Sequence, residues 1–388
     1  MGQRTVAGGV GAGLSNAEDA ATAAAQAARE AADALTGDAD LGFLFLSAHH
    51  LGDADAAVEA VRAELAPRHL VGCVADGVLA RSRELDDGPG VAVWGASLPG
   101  AEIEAFHAVA RALDDGVAVT GFPELAEPEL VTLLVDPFTF PVGGFLARLN
   151  EQRPGLPIVG GIASGGGRPG AAALVADGEI HEEGAVGVAL RGASVVTAVS
   201  QGCTALGRDA VITAAEGNVA HELAGKPALD WVRGQIAGLT AEQQALAARG
   251  LLAGIVIDEN KAEYGRGDYL MRALIGVDEE AGSIAVGEQV RVGQTLRLHA
   301  RDATTADEDL RAALASVREA GTPAGALLFT CNGRGRHMFP EPDHDARVAT
   351  DELGNGLAGF FCGGEIGPVG GRAFLHGFTA TLAVFLEP

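Results

Sequence analysis

Apolar residues in this chain fall into short unbroken runs separated by segments of helical period, and one arrangement of them occurs three times. Leu41-Gly-Phe-Leu-Phe-Leu-Ser47 is apolar at successive positions over the length of a strand. Asp53 then stands where a helix cap belongs, with Val58, Val61 and Leu65 on one helical face behind it. His69 to Val74 is a second short strand, leading into Ala75-Asp-Gly77. The order returns as Leu130 to Val135, a helix over Gly144 to Glu151, and Pro157 to Ile162 leading into Ala163-Ser-Gly165. It returns again as Ala326 to Phe329, a helix from Asp345 to Leu353, and Leu357 to Phe361 leading into Cys362-Gly-Gly364. Each second strand contains a glycine and ends in a turn of small residues. A strand-to-strand spacing of roughly thirty residues predicts βαβ units. The absence of alternation predicts strands buried on both faces, as in a parallel sheet.

Between these units the pattern changes. Residues 91–122 and 171–223 carry short alternating stretches with turn signals such as Asp177-Gly178, which predict antiparallel hairpins. Ser15-Asn-Ala-Glu18 reads as a capping box for an alanine-rich helix reaching Leu35. Pro227 opens a helix with Leu229, Val232 and Ile236 on one face, and Thr240-Ala-Glu-Gln243 caps the next. Strand Leu251 to Ile257 and a hairpin region from Tyr269 to Leu298 follow. A helix opened by Thr305-Ala-Asp-Glu308 then turns Leu310, Leu314 and Val317 to a core. The expectation is a mixed α/β fold: duplicated βαβ-like units with additional antiparallel strands, in two domains. A helical segment over residues 1–37 precedes a domain over 38–225 and a second over 226–388.

Composition narrows the function classes. Lys and Arg number 27 against 52 Asp and Glu, a formal charge of −25 that repels phosphate backbones and anionic lipid, so neither a nucleic-acid nor a membrane partner is expected. No apolar run is long enough to span a bilayer. The Gly- and Ala-rich stretch from Val6 to Leu14 is too weakly hydrophobic for a leader peptide, and Val6 breaks the myristoylation pattern behind Gly2, so the expected location is cytoplasmic. The four cysteines (73, 203, 331 and 362) form no CxxC pair and read as small buried hydrophobes.

Candidate chemistry concentrates between Cys331 and His376. The first part runs from Thr330 to Asp345 and starts where a buried strand stops, the place where α/β folds bind ligands. Asn332 offers donors and acceptors, and Arg334 and Arg336 suit bidentate recognition of a carboxylate or phosphate. The alternative is a surface loop whose arginines pair with Glu341, Asp343 or Asp345. The second part sets one carboxylate, Glu365, among Gly363, Gly364 and further glycines, with Arg372 and His376 behind it. It resembles a backbone cradle but matches neither a P-loop nor GxGxxG. His337, Glu341 and His344 have poor spacing for a metal, and a nucleophile made from Cys331 or Cys362 with His344 or His376 needs a lowered thiol pKa.

Asn332-Gly-Arg-Gly-Arg336, Glu341-Pro-Asp-His-Asp345 and Gly363-Gly-Glu-Ile-Gly-Pro-Val-Gly-Gly-Arg372 followed by His376-Gly resemble the C-terminal signature of FIST domains. Ser200-Gln-Gly-Cys203, Glu216-Gly-Asn218 and Arg301-Asp302 agree with it, and the likeness covers roughly residues 38 to 386. The resemblance implies a bacterial FIST N plus FIST C sensory module in signal transduction. It also implies a protein that is not an enzyme and that binds a small ligand such as an amino acid. With no output module in the chain, the signal is expected to pass to a separate downstream protein. Asn332, Arg334, Arg336, His344, Gly363, Gly364, Glu365, Arg372 and His376 are the candidate ligand-binding residues. The alternatives are a haem-binding nitric-oxide sensor, with haem the one cofactor the resemblance raises, and an enzyme using a cysteine nucleophile. No motif marks a histidine as a haem ligand.

Overall fold

The computed structural model describes residues 9–114 and 116–387, so Gly2 and Val6, weighed above as parts of a lipidation or leader signal, lie outside the described residues. All three strand–helix–strand units form. The first is Leu41–Ser47, helix Ala54–Glu64 and His69–Ala75. The second is Leu130–Val135, helix Val142–Gln152 and Ile158–Ile162, and the third is Pro323–Cys331, helix His344–Leu353 and Leu357–Cys362. In each the two strands are parallel neighbours, and each pair sits at the centre of its own sheet.

The three units share more than this. After its second strand each chain segment makes a short hairpin: Val78–Ala80 with Arg83–Leu85, Leu174–Ala176 with Glu179–His181, and Glu365–Val369 with Arg372–His376. None of these hairpins joins its own sheet. The first pairs with Leu357–Cys362 of the third unit, the third with Ile158–Ile162 of the second, and the second with His69–Ala75 of the first. A return strand (Val91–Ser97, Ala185–Arg191 or Thr379–Leu386) then runs antiparallel to the unit's own first strand. The three sheets are thus completed by a closed exchange of hairpins.

Burial on both faces explains the unbroken apolar runs. Leu41, Phe43 and Phe45, Leu130 and Leu134, and Leu327, Phe329 and Phe360 point inward to one core shared by the three sheets. There Phe45 lies 5.1 Å from Phe360 and Trp94 lies 4.9 Å from Phe385, ring centre to ring centre. The alternate residues face outward onto helices, as Leu44 and Leu46 do against Ala20–Asp33 and Ala54–Glu64.

The glycine inside each second strand has a steric cause. Gly72, Gly160 and Gly359 are the register partners of Leu44, Leu133 and Leu328. A Cβ on them would stand 2.0, 2.1 and 1.7 Å from those partners' carbonyl oxygens. The strand Gly9–Ser15 is an addition to the helical segment expected over 1–37; its Gly and Ala residues give little strand signal because it lies tight on the alanine helix, where a Cβ on Gly11 would come within 1.9 Å of the Ala31 carbonyl. That helix is capped by Asp19, whose carboxylate accepts from Thr22 N at 2.8 Å, instead of by Ser15. Thr240 and Gln243 form the expected reciprocal capping box. The helix expected to open at Thr305 begins at Ala303, with Asp302 accepting from Thr305 N.

Contacts divide the chain into two compact units. One comprises the described residues through Val199, with Leu310–Leu375 and the chain from Thr379; it contains the three sheets just described. The other comprises Ser200–Asp309 with His376–Phe378. Six of its seven strands close into a barrel because the long strand Cys203–Glu216 pairs with Thr295–Arg301 at one end and with Val219–Leu223 at the other, while the short Lys226–Pro227 pairs with Val219–Leu223 alone. Leu206, Ile212, Ile255, Val286, Leu296 and Leu298 fill it, and Trp231 of helix Ala228–Ala237 packs beside them.

Gly359→Ala forces a methyl group onto a backbone carbonyl and is expected to cost at least about 2 kcal/mol in urea unfolding. Gly52→Ala, where nothing lies within 4 Å, serves as the control and should change stability by less than about 1 kcal/mol. Equal stabilities of the two variants would refute the close-contact account.

Candidate functional site

Five of the six strand ends in the three parallel pairs lead to one cavity of about 280 Å³. Asp136 follows the first strand of the second unit and Asn332 that of the third. Asp76, Ala163-Ser164 and Gly363 follow the three second strands. Ligands gather beyond the carboxyl ends of parallel strands because the chain must turn there and leaves its polar groups turned outward. Pro137, Phe138 and Ile162 supply apolar wall, and Gly166, Gly167 and Gly363 leave room for backbone to approach a guest.

Ser164 ties the three turns together. Its hydroxyl accepts from Asp76 N at 2.8 Å and donates to the Phe361 carbonyl at 2.8 Å. Asn332 donates from Nδ2 to the Asp76 carboxylate at 2.8 Å and from its backbone to the Cys362 carbonyl at 2.9 Å. The Asn332 Oδ1 atom is buried and has no hydrogen-bond partner. Desolvation raises the Asp76 carboxyl above its ordinary range despite the bonds from Asn332 and Ser164. Asp136 is buried and accepts from the Thr139 hydroxyl. Asp76, Asp136 and Asn332 are the carboxylates and the amide among the residues lining the cavity, and no Lys, Arg or His is among them. Its polar walls therefore suit a guest that donates hydrogen bonds or carries positive charge.

Of the residues singled out in the sequence, Asn332 and Gly363 line the cavity, and Gly364 holds its edge by accepting from Ile162 N at 2.8 Å. Arg334, His344 and Glu365 belong to a separate buried network. The Arg334 guanidinium is fully buried and grips Asp345 through Nε at 2.7 Å and Nη2 at 2.9 Å. Thr330 and the Nδ1 of His344 also meet that carboxylate, and the His344 ring stacks 3.5 Å from Phe339. Burial alone would raise the Asp345 carboxyl, but the Arg334 charge and these bonds outweigh it and hold the group well below the usual range. The pairing of an arginine with Asp345, one of the two readings weighed for this loop, is thus realised. Arg336 is exposed and pairs with Asp86 at 2.7 Å, while Arg372 lies over the Phe374 ring. His376 is buried at the end of strand Arg372–His376. Asp136 and Phe138 escaped the sequence reading, although Asp136 occupies in the second unit the place that Asn332 occupies in the third.

Glu365 is fully buried and accepts from Thr379 through both N and Oγ1. Burial pushes its carboxyl up to about 8, against the lowering effect of the Thr379 bonds, the Cys331 thiol and the Arg334 charge. Burial also pushes the Cys362 thiol well up, which opposes thiolate chemistry there. Haem needs an axial His, Cys, Met or Tyr beside a space for the macrocycle. A cavity of about 510 Å³ beside Val10, Glu30 and Arg81 has no such residue in its lining. The cavity that does hold His299, Cys203 and Met271 measures about 250 Å³. Neither fits the group.

The FIST N domain model matches residues 40–226 and the FIST C domain model residues 228–368. An uncharacterised protein of Mycobacterium tuberculosis strain H37Rv is 45% identical over 383 residues, covering 97% of this chain and 100% of its own length. An uncharacterised protein of Mycobacterium bovis is 43% identical over 383 residues, covering 97% of this chain and 99% of its own. Asp76, Asp136 and Ser164 come from the first matched segment and Asn332 and Gly363 from the second.

A carboxyl raised by folding stabilises the protein fully below its unfolded value, near 4.5, and ceases to do so as pH climbs through its folded value, about 8. Unfolding free energy is therefore expected to fall between pH 5 and pH 9, and Glu365→Gln should flatten that fall. The slope shrinks without vanishing, since burial and the Asp345 charge also raise Glu84. Denaturant titrations at several pH values measure this, and an unchanged slope in the variant would show that Glu365 ionises freely.

Proposed function

The chain belongs to the FIST family, whose domains are sensory modules of signal transduction, and from this premise we propose that it senses a small amine-bearing metabolite in the cavity at the three strand-pair ends. Amino acids are the leading class of guest. The observation that carries this reading is the cavity's lining: Asp76, Asp136 and the unpartnered Asn332 Oδ1 offer acceptors with no cation among them. An ammonium group supplies the donors that these atoms lack, and a buried acceptor left unused is costly until a guest fills it. Phe138 and Ile162 offer apolar surface for a side chain. The ligand state is then read by a separate signalling protein.

Helix lengths and hydropathy contribute one further point: among the described residues no helix is long and apolar enough to cross a membrane.

A thermal-shift screen of amino acids, diamines and small uncharged metabolites tests the reading. A guest at a hundred times its Kd stabilises the fold by about 2.7 kcal/mol. Asp76→Asn and Asp136→Asn are each expected to weaken a binding amine at least about ten-fold, equivalent to about 1.4 kcal/mol. No shift with any amine, or unchanged affinity in both variants, would overturn it.

A further inference from the structure

The barrel unit contains a second cavity of the opposite character. Its lining comprises Gln201, Cys203, Thr204, Ala205, Tyr264 to Arg266, Tyr269, Met271, Arg297, His299 and Thr305, with no Asp or Glu among them. Both tyrosines of the whole chain stand here. The volume, about 250 Å³, is below the range of about 300–1,000 Å³ in which drug-sized molecules bind, so the guest is small.

Arg297 dominates the lining. Its Nη2 donates to the Gly207 carbonyl at 2.9 Å, and its Nη1 stands 4.0 Å from Asp209. Its Nε atom is buried without a hydrogen-bond partner. Asp209 meanwhile accepts the Tyr269 hydroxyl at 2.7 Å, which draws part of its acceptor strength away from the guanidinium. The second arginine, Arg266, is committed to Glu308 at 3.0 Å and Asp309 at 3.9 Å. Arg297 thus carries a charge compensated only at the edge of contact and a donor that is not used at all.

His299 is built firmly into the same wall. Its ring meets Tyr269 edge-on at 4.9 Å, and a Cβ on Gly254 would fall 2.5 Å from its Cε1 and Nδ1, so glycine is required there to seat the imidazole. Nδ1 lies 3.2 Å from the Arg297 carbonyl, which can only accept, so the proton sits on Nδ1 and Nε2 is left as an acceptor. Burial lowers the imidazole to about 4, so the ring is neutral at physiological pH. Cys203, Tyr264 and Met271 add an apolar patch.

We propose that this cavity is a second ligand site, selective for a small organic carboxylate held by Arg297, with a hydroxyl on that carboxylate's chain received by Nε2 of His299. The unused Nε–H and the weakly compensated charge recognise the carboxylate, since charge-assisted bonds of this kind are the strong ones. The neutral imidazole discriminates for a hydroxyl that plain acids lack. This site is independent of the amine cavity, which has acidic lining and lies in the other compact unit.

Isothermal titration of the full chain with acetate, propionate, lactate, succinate and inorganic phosphate decides the matter. Lactate is expected to bind more tightly than propionate, and Arg297→Gln to weaken it at least ten-fold. Ala205→Phe, which fills the cavity without removing a hydrogen bond, is expected to abolish binding even if Arg297→Gln fails to fold. Absence of carboxylate binding, binding of phosphate alone, or lactate affinity that survives both substitutions would each overturn the proposal.

Discussion

The carbonyls of Leu44, Leu133 and Leu328 each face a glycine on the neighbouring parallel strand, and much else follows from that contact. With no Cβ in the way, the two backbones approach more closely than any other residue permits. A few residues later each second strand leaves its sheet and feeds a hairpin to another. The turns where the strands leave (Asp76-Gly77, Ala163-Ser164 and Gly363-Gly364) are the turns that Ser164 and Asn332 stitch together. One steric allowance, repeated three times, therefore places polar groups from distant parts of the chain around a single space. The recurring smallness of these turns in the three units is a packing requirement and a site-forming device at once.

How much of this was legible depended on the range of the interaction. Leu41–Ser47 and Leu130–Val135 were readable to the residue because burial on both faces leaves no polar position inside the run. Thr240 and Gln243 were readable because a capping box is complete within four residues. Gly9–Ser15 was not, since its pattern answers to a helix surface instead of to strand propensity. The exchange of hairpins was also hidden: Val78–Ala80 pairs with a strand whose residues lie far along the chain, and nothing local encodes that choice.

The candidate site shows the same division. Asn332 and Gly363 stood out as polar and small residues at strand ends, and both line the cavity. Arg334 stood out for the same reason, but its guanidinium is spent on Asp345. A bidentate pair at full burial and a bidentate ligand contact use identical side-chain chemistry, so composition alone does not separate them. What the pair does for the site is indirect: it fixes the loop that carries Asn332. Opposite lining charges in the two cavities are a further product of tertiary structure, since the net charge of −25 gives no hint that one cavity is lined by arginine.

A ring of exchanged hairpins has no first member. While the chain is being synthesised, the sheet around Leu41–Ser47 waits for Leu174–Ala176, and the sheet around Leu130–Val135 waits for Glu365–Val369. The sheet around Pro323–Cys331 is finished only by Thr379–Leu386. Until then the nascent protein exposes apolar strand edges that are prone to wrong partners. The three sheets are therefore expected to be completed together, and not one after another as each pair of parallel strands is made.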